Sequence, residues 1–491
     1  MTFASQVFLF LFLPVTLAGH ALVPRRARQL VLVLASFVFC AWAGPVFVLP
    51  LLAVTVIDYA CGRVISGSLG GASVDEKRPA LRRRIALAVS VASNLGLLAV
   101  FKYAGFAADN LDALLRALGL AGSSDAGALR FALPLGISFY TFQSLAYTID
   151  LYHRRTEPAR SLVEYAAFLS FFPRLMAGPI LRFKEFSRQL REPAWGLPSF
   201  ARGVLFFSFG LAKKVLLANP SGTVADAVFA ASGRSAVEAW FGLLAFAFQI
   251  YFDFSGYTDM AIGLGLMFRL ELPQNFDRPY RARSITEFWR RWHVTLSNWL
   301  RDFLFLPIAY AVSRRLERFA LAPRTEEYAS YVTAAVTTMA LAGLWHGAAW
   351  NFVIWGLVHG AAMAGERAVG KKRFYRRFPD AAKGAITFLI VLAAWVFFRT
   401  ATLGDALAYF RDLLGIGVSG AAAALLAGVV YTPYHVITVA IAALVIWLGR
   451  PTVLLVEKAT TARVSLAILL LVLAIAVMIV ESQKAFLYSV F

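Results

Sequence analysis

Histidine is the side chain best suited to exchanging a proton near neutral pH, and one lies where a charge would be expensive. The stretch MALAGLWHGAAWNFVIWGLVHG, residues 339–360, sets His346 between apolar neighbours, with Trp345 before it and Gly347, Ala348 and Ala349 after it. Small residues let backbones or an acyl chain approach closely. The neutral imidazole is the form that a general base needs. Asn351, five positions on, adds a neutral hydrogen-bonding group. A second histidine, His293, follows Trp292 in ELPQNFDRPYRARSITEFWRRWHVTLSNWLRD, residues 271–302, a stretch too polar to face lipid. Arg290, Arg291 and Arg301 there are placed to meet headgroups or an anionic ligand. Asp253 and Asp259 stand in QIYFDFSGYTDMAIGLG (249–265), and their expected role is structural, paired with arginines of 278–291. Arg174, within FLSFFPRLMAGPILRF, poses the same question with the opposite sign. His359 and His435 read as satisfied core histidines, and His20 and His153 as interfacial residues near span ends.

The elements that must hold these groups are membrane helices. Hydrophobic residues make up 59% of 491 positions and charged residues 15%, with a mean hydropathy of +0.67. A soluble chain of this length carries more surface charge. Apolar runs recur that match the roughly 20 residues needed to cross about 30 Å of hydrocarbon. Helices satisfy the backbone without water, and the short alternating segments of a barrel are missing. The net charge of +20 comes as bursts between apolar runs: Arg25, Arg26, Arg28; Lys77, Arg78, Arg82, Arg83, Arg84; Lys371, Lys372, Arg373, Arg376, Arg377. That is the positive-inside pattern of cytoplasmic loops, not a nucleic-acid footprint. Cys40 and Cys61 make neither a disulfide framework nor a metal spacing and read as buried small hydrophobes. No P-loop, HExxH, GxSxG or CxxC spacing supports another catalytic class.

Eleven to thirteen crossings or partial crossings are expected in an all-α polytopic chain forming one membrane domain, 1–491, with 254–365 as its core segment. The first span, 3–23, reads as retained, with its N-terminus outside, because its positive cluster follows the apolar run. The stretch 29–62 should cross twice, broken at Gly44-Pro45. Further spans are expected near 85–104, 131–150, 162–180, 200–218, 236–254, 329–346, 349–365, 384–400, 425–447 and 464–481. In the polar stretch, Pro273 and Pro279 argue for an irregular loop, and Ser284 with Glu287 predicts a helix from about 285. That helix would carry Trp289, His293 and Leu296 near one face.

Taken in order, VFLFLFLPV (7–15), PLGISFYTFQSLAYTIDLY (134–152), FLSFFPRLMAGPILRFKEFSRQL (168–190) and the three stretches above resemble the membrane-bound O-acyltransferase family. The likeness is to its bacterial branch of alginate O-acetyltransferases and teichoic-acid D-alanyl exporters, and it covers most of the chain. It implies a ring of helices around a thinned centre with a funnel, in a bacterial cytoplasmic membrane. It further implies His346 as catalytic base and His293 as the second family position, assisting it. Trp345, Trp292, Asn351, Asp302 and Asp253 would support or orient them. Arg278, Arg281, Arg290, Arg291 and Arg301 would hold the phosphates of an acyl thioester co-substrate, acetyl-CoA or the phosphopantetheine of an acyl carrier protein, at the cytoplasmic mouth. No bound cofactor, metal or nucleic acid is expected. A periplasmic or extracellular acyltransferase partner, commonly completing transfer to a glycan such as alginate, cellulose or peptidoglycan, is implied. One departure stands out: where alginate-type relatives have Pro-Leu-Gly-Gly-Asn-Arg, Pro307 is followed by Ile-Ala-Tyr-Ala-Val-Ser-Arg-Arg (308–315). The rival reading is a transporter or flippase of an acylated or lipid-linked sugar. It lacks the usual pointer, a pair of broken helices recurring in two halves. A third is a scaffold recruiting a periplasmic enzyme.

Overall fold

The glycine and proline at 44–45 act as their geometry requires. In the computed structural model, α1 (Phe8–Leu22) and α2 (Arg28–Ala41) are followed by α3 (Pro45–Ile65), with Pro45 in the first turn, where a missing N–H costs nothing. The structure describes residues 1–67, 77–120, 131–192, 196–320, 322–369, 377–416, 421–480 and 486–487. The basic residues Lys371, Lys372, Arg373 and Arg376 lie outside the described residues, as do the side chains of Lys77 and Arg78. Among the described residues all regular structure is helical. Five helices among the described residues are long and apolar enough to cross a membrane: α3, Ala80–Ala117, Ala236–Met267, Asp380–Arg399 and Thr461–Val480. The shorter apolar helices Phe8–Leu22 and Pro433–Trp447 add to them. The chain is an all-α polytopic membrane protein.

Two compact units are present: Met1–Val204 with Ala261–Pro273, and Leu205–Met260 with Gln274–Phe491. In the first, Cys40 and Cys61 are buried and free. Asp58 is buried, and its Oδ2 accepts from two neutral donors, Asn94 Nδ2 at 2.6 Å and the Ser144 hydroxyl. Arg174 is fully buried and donates to the main-chain carbonyls of Phe168 and Leu181, with its guanidinium 5.1 Å from the rings of Phe168 and Phe186. Carbonyls and aromatic faces therefore hold this cation. The stretch 162–180 does not cross as one helix. Leu162–Ser170 stops at Phe171 (φ −45°, ψ 105°), and Phe172–Leu175 restarts with a proline in its first turn while Phe172 N–H donates to Ser36 Oγ at 3.0 Å.

In the second unit the stretch 425–447 is likewise two helices, Ala421–Val430 and Pro433–Trp447, the second capped by Thr432. Asp253 and Asp259, on the 32-residue helix Ala236–Met267, are paired, but with lysines and not with the arginines of 278–291. Lys214 Nζ meets Asp253 at 2.6 Å and Lys213 Nζ meets Asp259 at 2.6 Å. Both lysines come from a π-helical stretch, Lys213–Ala218. They sit inside an apolar run, so a carboxylate within reach satisfies them there, while Arg278, Arg283 and Arg291 pair with Asp277, Asp380 and Glu287. Thr452 Oγ1 also donates to Asp259, and the Leu487 N–H to Asp253, each at 2.7 Å.

The segment that carries the histidines is a hairpin, Pro323–His346 followed by Trp350–Val369. Its two helices approach backbone to backbone. A Cβ on Gly343 would stand 2.0 Å from the Phe352 carbonyl oxygen, and one on Gly356 2.0 Å from that of Met339. Gly343→Ala is therefore expected to pry the hairpin apart, at a cost at or above the roughly 1–3 kcal/mol typical of overpacking. Thermal unfolding of the purified variant in detergent checks this. An unchanged midpoint contradicts the close approach.

Candidate active site

The polar stretch folds from its own caps outward. Pro273 and Pro279 give an irregular loop with one 3-10 turn, Pro279–Arg281. Tyr280 pins that turn, donating to the Ala247 carbonyl at 2.7 Å and accepting from Trp395 Nε1 at 3.2 Å. The helix Ile285–Arg291 starts where the sequence predicts, with Ser284 Oγ accepting from Glu287 N–H at 2.9 Å. The Glu287 carboxylate reaches back to the Arg283 N–H (2.8 Å), one residue before the cap, and pairs with Arg291 at 2.7 Å. Burial pushes the Glu287 carboxyl up, but the bonds from Arg283 and Arg291 outweigh it and hold the group below its usual range. Glu366, across on the hairpin, adds a second cap by accepting from the N–H groups of Ile285 and Thr286 and from Thr286 Oγ1. No spacing rule in the sequence links residue 366 to residue 285.

The expected single helix through Trp289, His293 and Leu296 is interrupted. Trp292 is extended and His293 is left-handed (φ 42°, ψ 53°) before a second short helix, Val294–Leu300. The cause is distant in sequence: Asp277 N–H donates to the Arg291 carbonyl and Val294 N–H to the Asn275 carbonyl, both at 2.9 Å. Left-handed backbone is costly for a residue with a Cβ, and here the pairing with 275–277 holds it. The result fixes His293. Asn275 Oδ1 accepts from Thr295 N–H (3.1 Å) and Thr295 Oγ1 (3.0 Å), so it is the acceptor for His293 Nδ1 at 3.2 Å as well. In the neutral ring the proton is thereby on Nδ1, and Nε2 carries the lone pair. The ring is fully buried and stands edge-on to Phe254 at 4.7 Å.

His346 ends the first hairpin helix. It is buried between Trp345 (4.9 Å), Trp355 (5.1 Å) and Phe398 (5.5 Å). Asn351 donates to the Thr400 carbonyl at 2.8 Å and so holds the hairpin to the end of Asp380–Arg399. Sequence reasoning set His359 aside as a satisfied core histidine, and the packing is otherwise. It is fully buried, 5.0 Å from Trp355 and 5.4 Å from Trp289, and neither ring nitrogen has a hydrogen-bond partner among the described residues. Trp355 thus touches both His346 and His359, which lie on the two different helices of the hairpin.

A cavity of about 330 Å³ adjoins this cluster, within the usual range for small-ligand sites. Arg290 and Arg301 line it together with Trp289, Ser297, Asn298 and Thr338. Trp289 packs on Trp355 at 5.7 Å, so two indoles stand between the cavity and His346. The other expected arginines lie elsewhere: Arg291 is tied to Glu287, Arg278 is 3.3 Å from Asp277, and Arg281 is exposed. Asp302 pairs with Arg301 at 2.9 Å, and Trp292 is buried against Phe288, Phe276 and Trp395. At the point of departure from alginate-type sequences, where a Gly-Gly turn is missing, the chain simply continues as a helix, Leu306–Leu316.

A buried histidine cluster in an all-helical membrane protein, beside a cavity with two guanidiniums, suits transfer of a group from an anionic carrier. Residues 154–403, which contain every residue named in this site, match the family described as MBOAT, membrane-bound O-acyltransferase family. The chain belongs to that family and is an O-acyltransferase. It is 41% identical over 417 residues to a probable alginate O-acetylase of Pseudomonas putida, covering 85% of this chain and 81% of that protein. A peptidoglycan O-acetyltransferase of Helicobacter pylori is 35% identical over 455 residues, with the same two coverages. A teichoic acid D-alanyltransferase of Streptococcus thermophilus is 28% identical over 241 residues, 47% of this chain and 55% of that protein.

Proposed function

We propose that this protein takes an acetyl group from a cytoplasmic thioester, acetyl-CoA or an acylated carrier protein, and delivers it across the bacterial cytoplasmic membrane for O-acetylation of an extracytoplasmic polysaccharide. The observation that carries the reading is His346, a buried histidine in the family-matching region, set by a glycine-packed hairpin behind a cavity that presents Arg290 and Arg301. The names borne by the relatives support acetyl as the acyl group and a wall or secreted glycan as acceptor.

In this reading the donor's phosphates engage Arg290 and Arg301, which suit bidentate contact. A hydroxyl, of the glycan or of a partner acyltransferase outside the membrane, attacks the thioester carbonyl carbon. His346 takes the hydroxyl proton as the C–O bond forms. The C–S bond breaks and the sulfur leaves as a thiol, receiving that proton. His293, with Nδ1–H committed to Asn275, offers an acceptor at Nε2. It therefore suits orienting a hydroxyl or amide N–H better than stabilising an oxyanion. Deletion of the gene and mass spectrometry of cell-envelope and secreted glycans test the proposal. One glycan should lose its ester-linked acetyl groups and regain them on complementation. Unchanged ester content in every glycan overturns it.

A further inference from the structure

A second basic pocket lies in the unit formed by Met1–Val204 and Ala261–Pro273. It measures about 360 Å³ and its described lining contains six arginines and no acid: Arg25, Arg26, Arg28, Arg160, Arg191 and Arg269. The acetyl-transfer proposal uses none of them. The rim is built and not merely a spray of surface side chains. Arg191 is fixed by Glu164 at 2.9 Å. Gln189 and Glu271 lock two walls together through reciprocal amide bonds of 3.1 and 2.6 Å, Gln189 Nε2 donating to the Glu271 carbonyl and Glu271 N–H to Gln189 Oε1. Arg269 is held in a left-handed conformation (φ 70°) just past the helix Ala236–Met267. Burial first, and then the like charges of Arg28 and Arg25, keep its guanidinium below the ordinary arginine range. Glu164 offsets the charge of Arg191, but the other arginines facing the hollow repel each other, and an anion in it relieves the repulsion.

The position of the hollow says which anion. Arg25, Arg26 and Arg28 form the turn between α1 and α2, so the pocket opens where two apolar helices end. Beside it Leu22 is 85% exposed and Leu30 47%, side chains that only an acyl phase would cover. Leu32, Leu190 and Phe268 line the floor, with His20 edge-on to Phe268 at 5.4 Å. A ligand that fits is negatively charged at the head and apolar immediately next to it. Basic pockets between helices on the cytoplasmic side have the chemistry for anionic headgroups.

We propose that this pocket is a binding site for the phosphate of an anionic membrane lipid, seated on Arg25, Arg26, Arg28 and Arg269 with its acyl chains along Leu22 and Leu30. The test uses the full chain in nanodiscs of phosphatidylcholine doped with phosphatidylglycerol or cardiolipin, read by native mass spectrometry of retained lipid. Wild type should retain the anionic lipid over phosphatidylcholine, and each arginine removed should weaken retention about fivefold. Arg28→Gln with Arg269→Gln removes two of the cations that seat the phosphate. Arg26→Glu, on the exposed rim, does the same without touching packing, and Arg314→Gln, far along the chain, should change nothing. Equal retention of zwitterionic lipid, or full retention by Arg26→Glu, overturns the site. Displacement of the lipid by inorganic pyrophosphate or CoA at matching concentration assigns the pocket to a soluble phosphate and overturns the lipid assignment.

Discussion

Replacement of His346 by alanine is expected to lower acyl transfer about a hundred- to ten-thousand-fold, the usual contribution of a positioned general base. Insertion and abundance should persist, because the hairpin is clamped elsewhere, at Gly343 and Gly356 and through Asn351 to Thr400. Alanine also empties a site enclosed by Trp345, Trp355 and Phe398, so part of any loss could come from repacking. His346→Gln separates the two effects. It keeps a polar side chain of similar reach but cannot take a proton, and it should be as inactive as alanine with a higher unfolding midpoint. The acetyl content of the glycan, measured beside the amount of protein in the membrane, decides between base and packing.

The second large effect is on stability. Lys214→Ala strands the Asp253 carboxylate, whose side chain is 3% exposed, without its ion-pair partner at 2.6 Å. Breaking a buried pair from one side typically costs about 3–5 kcal/mol, because the remaining charge is left desolvated. Replacing both partners with apolar residues, Lys214→Met with Asp253→Leu, should restore most of that loss, since neither charge is then buried. Unfolding in detergent, followed by tryptophan fluorescence, checks both. A Lys214→Ala variant as stable as wild type would mean that Asp253 draws its support from the Leu487 N–H and not from the lysine.

Local signals in the sequence carried much of this fold. The Ser284–Glu287 spacing placed a helix start at Ile285, and Gly44-Pro45 placed a helix break, because both depend on groups a few residues apart. Pairings across the fold were not legible. The kink at His293 comes from loop residues 275–277, and the second cap on Ile285 comes from Glu366. Neither is encoded in the spacing around those positions. That Asp253 and Asp259 are paired is legible from their apolar surroundings, but their partners are not, because Lys213 and Lys214 lie inside an apolar run while arginines stand in the polar stretch. Of the arginines expected at a donor site, Arg290 and Arg301 line the cavity beside the histidines, while the i to i+4 pair with Glu287 holds Arg291.

The central claim is that this chain itself breaks a thioester with His346 as base. The purified protein in proteoliposomes, supplied with acetyl-labelled CoA or acetylated carrier protein and a hydroxyl acceptor, tests it most directly. Wild type should consume the thioester and move label to the acceptor, while His346→Ala does so at least about a hundredfold more slowly. Equal rates for the two proteins, or no consumption of either donor by wild type, would contradict the account.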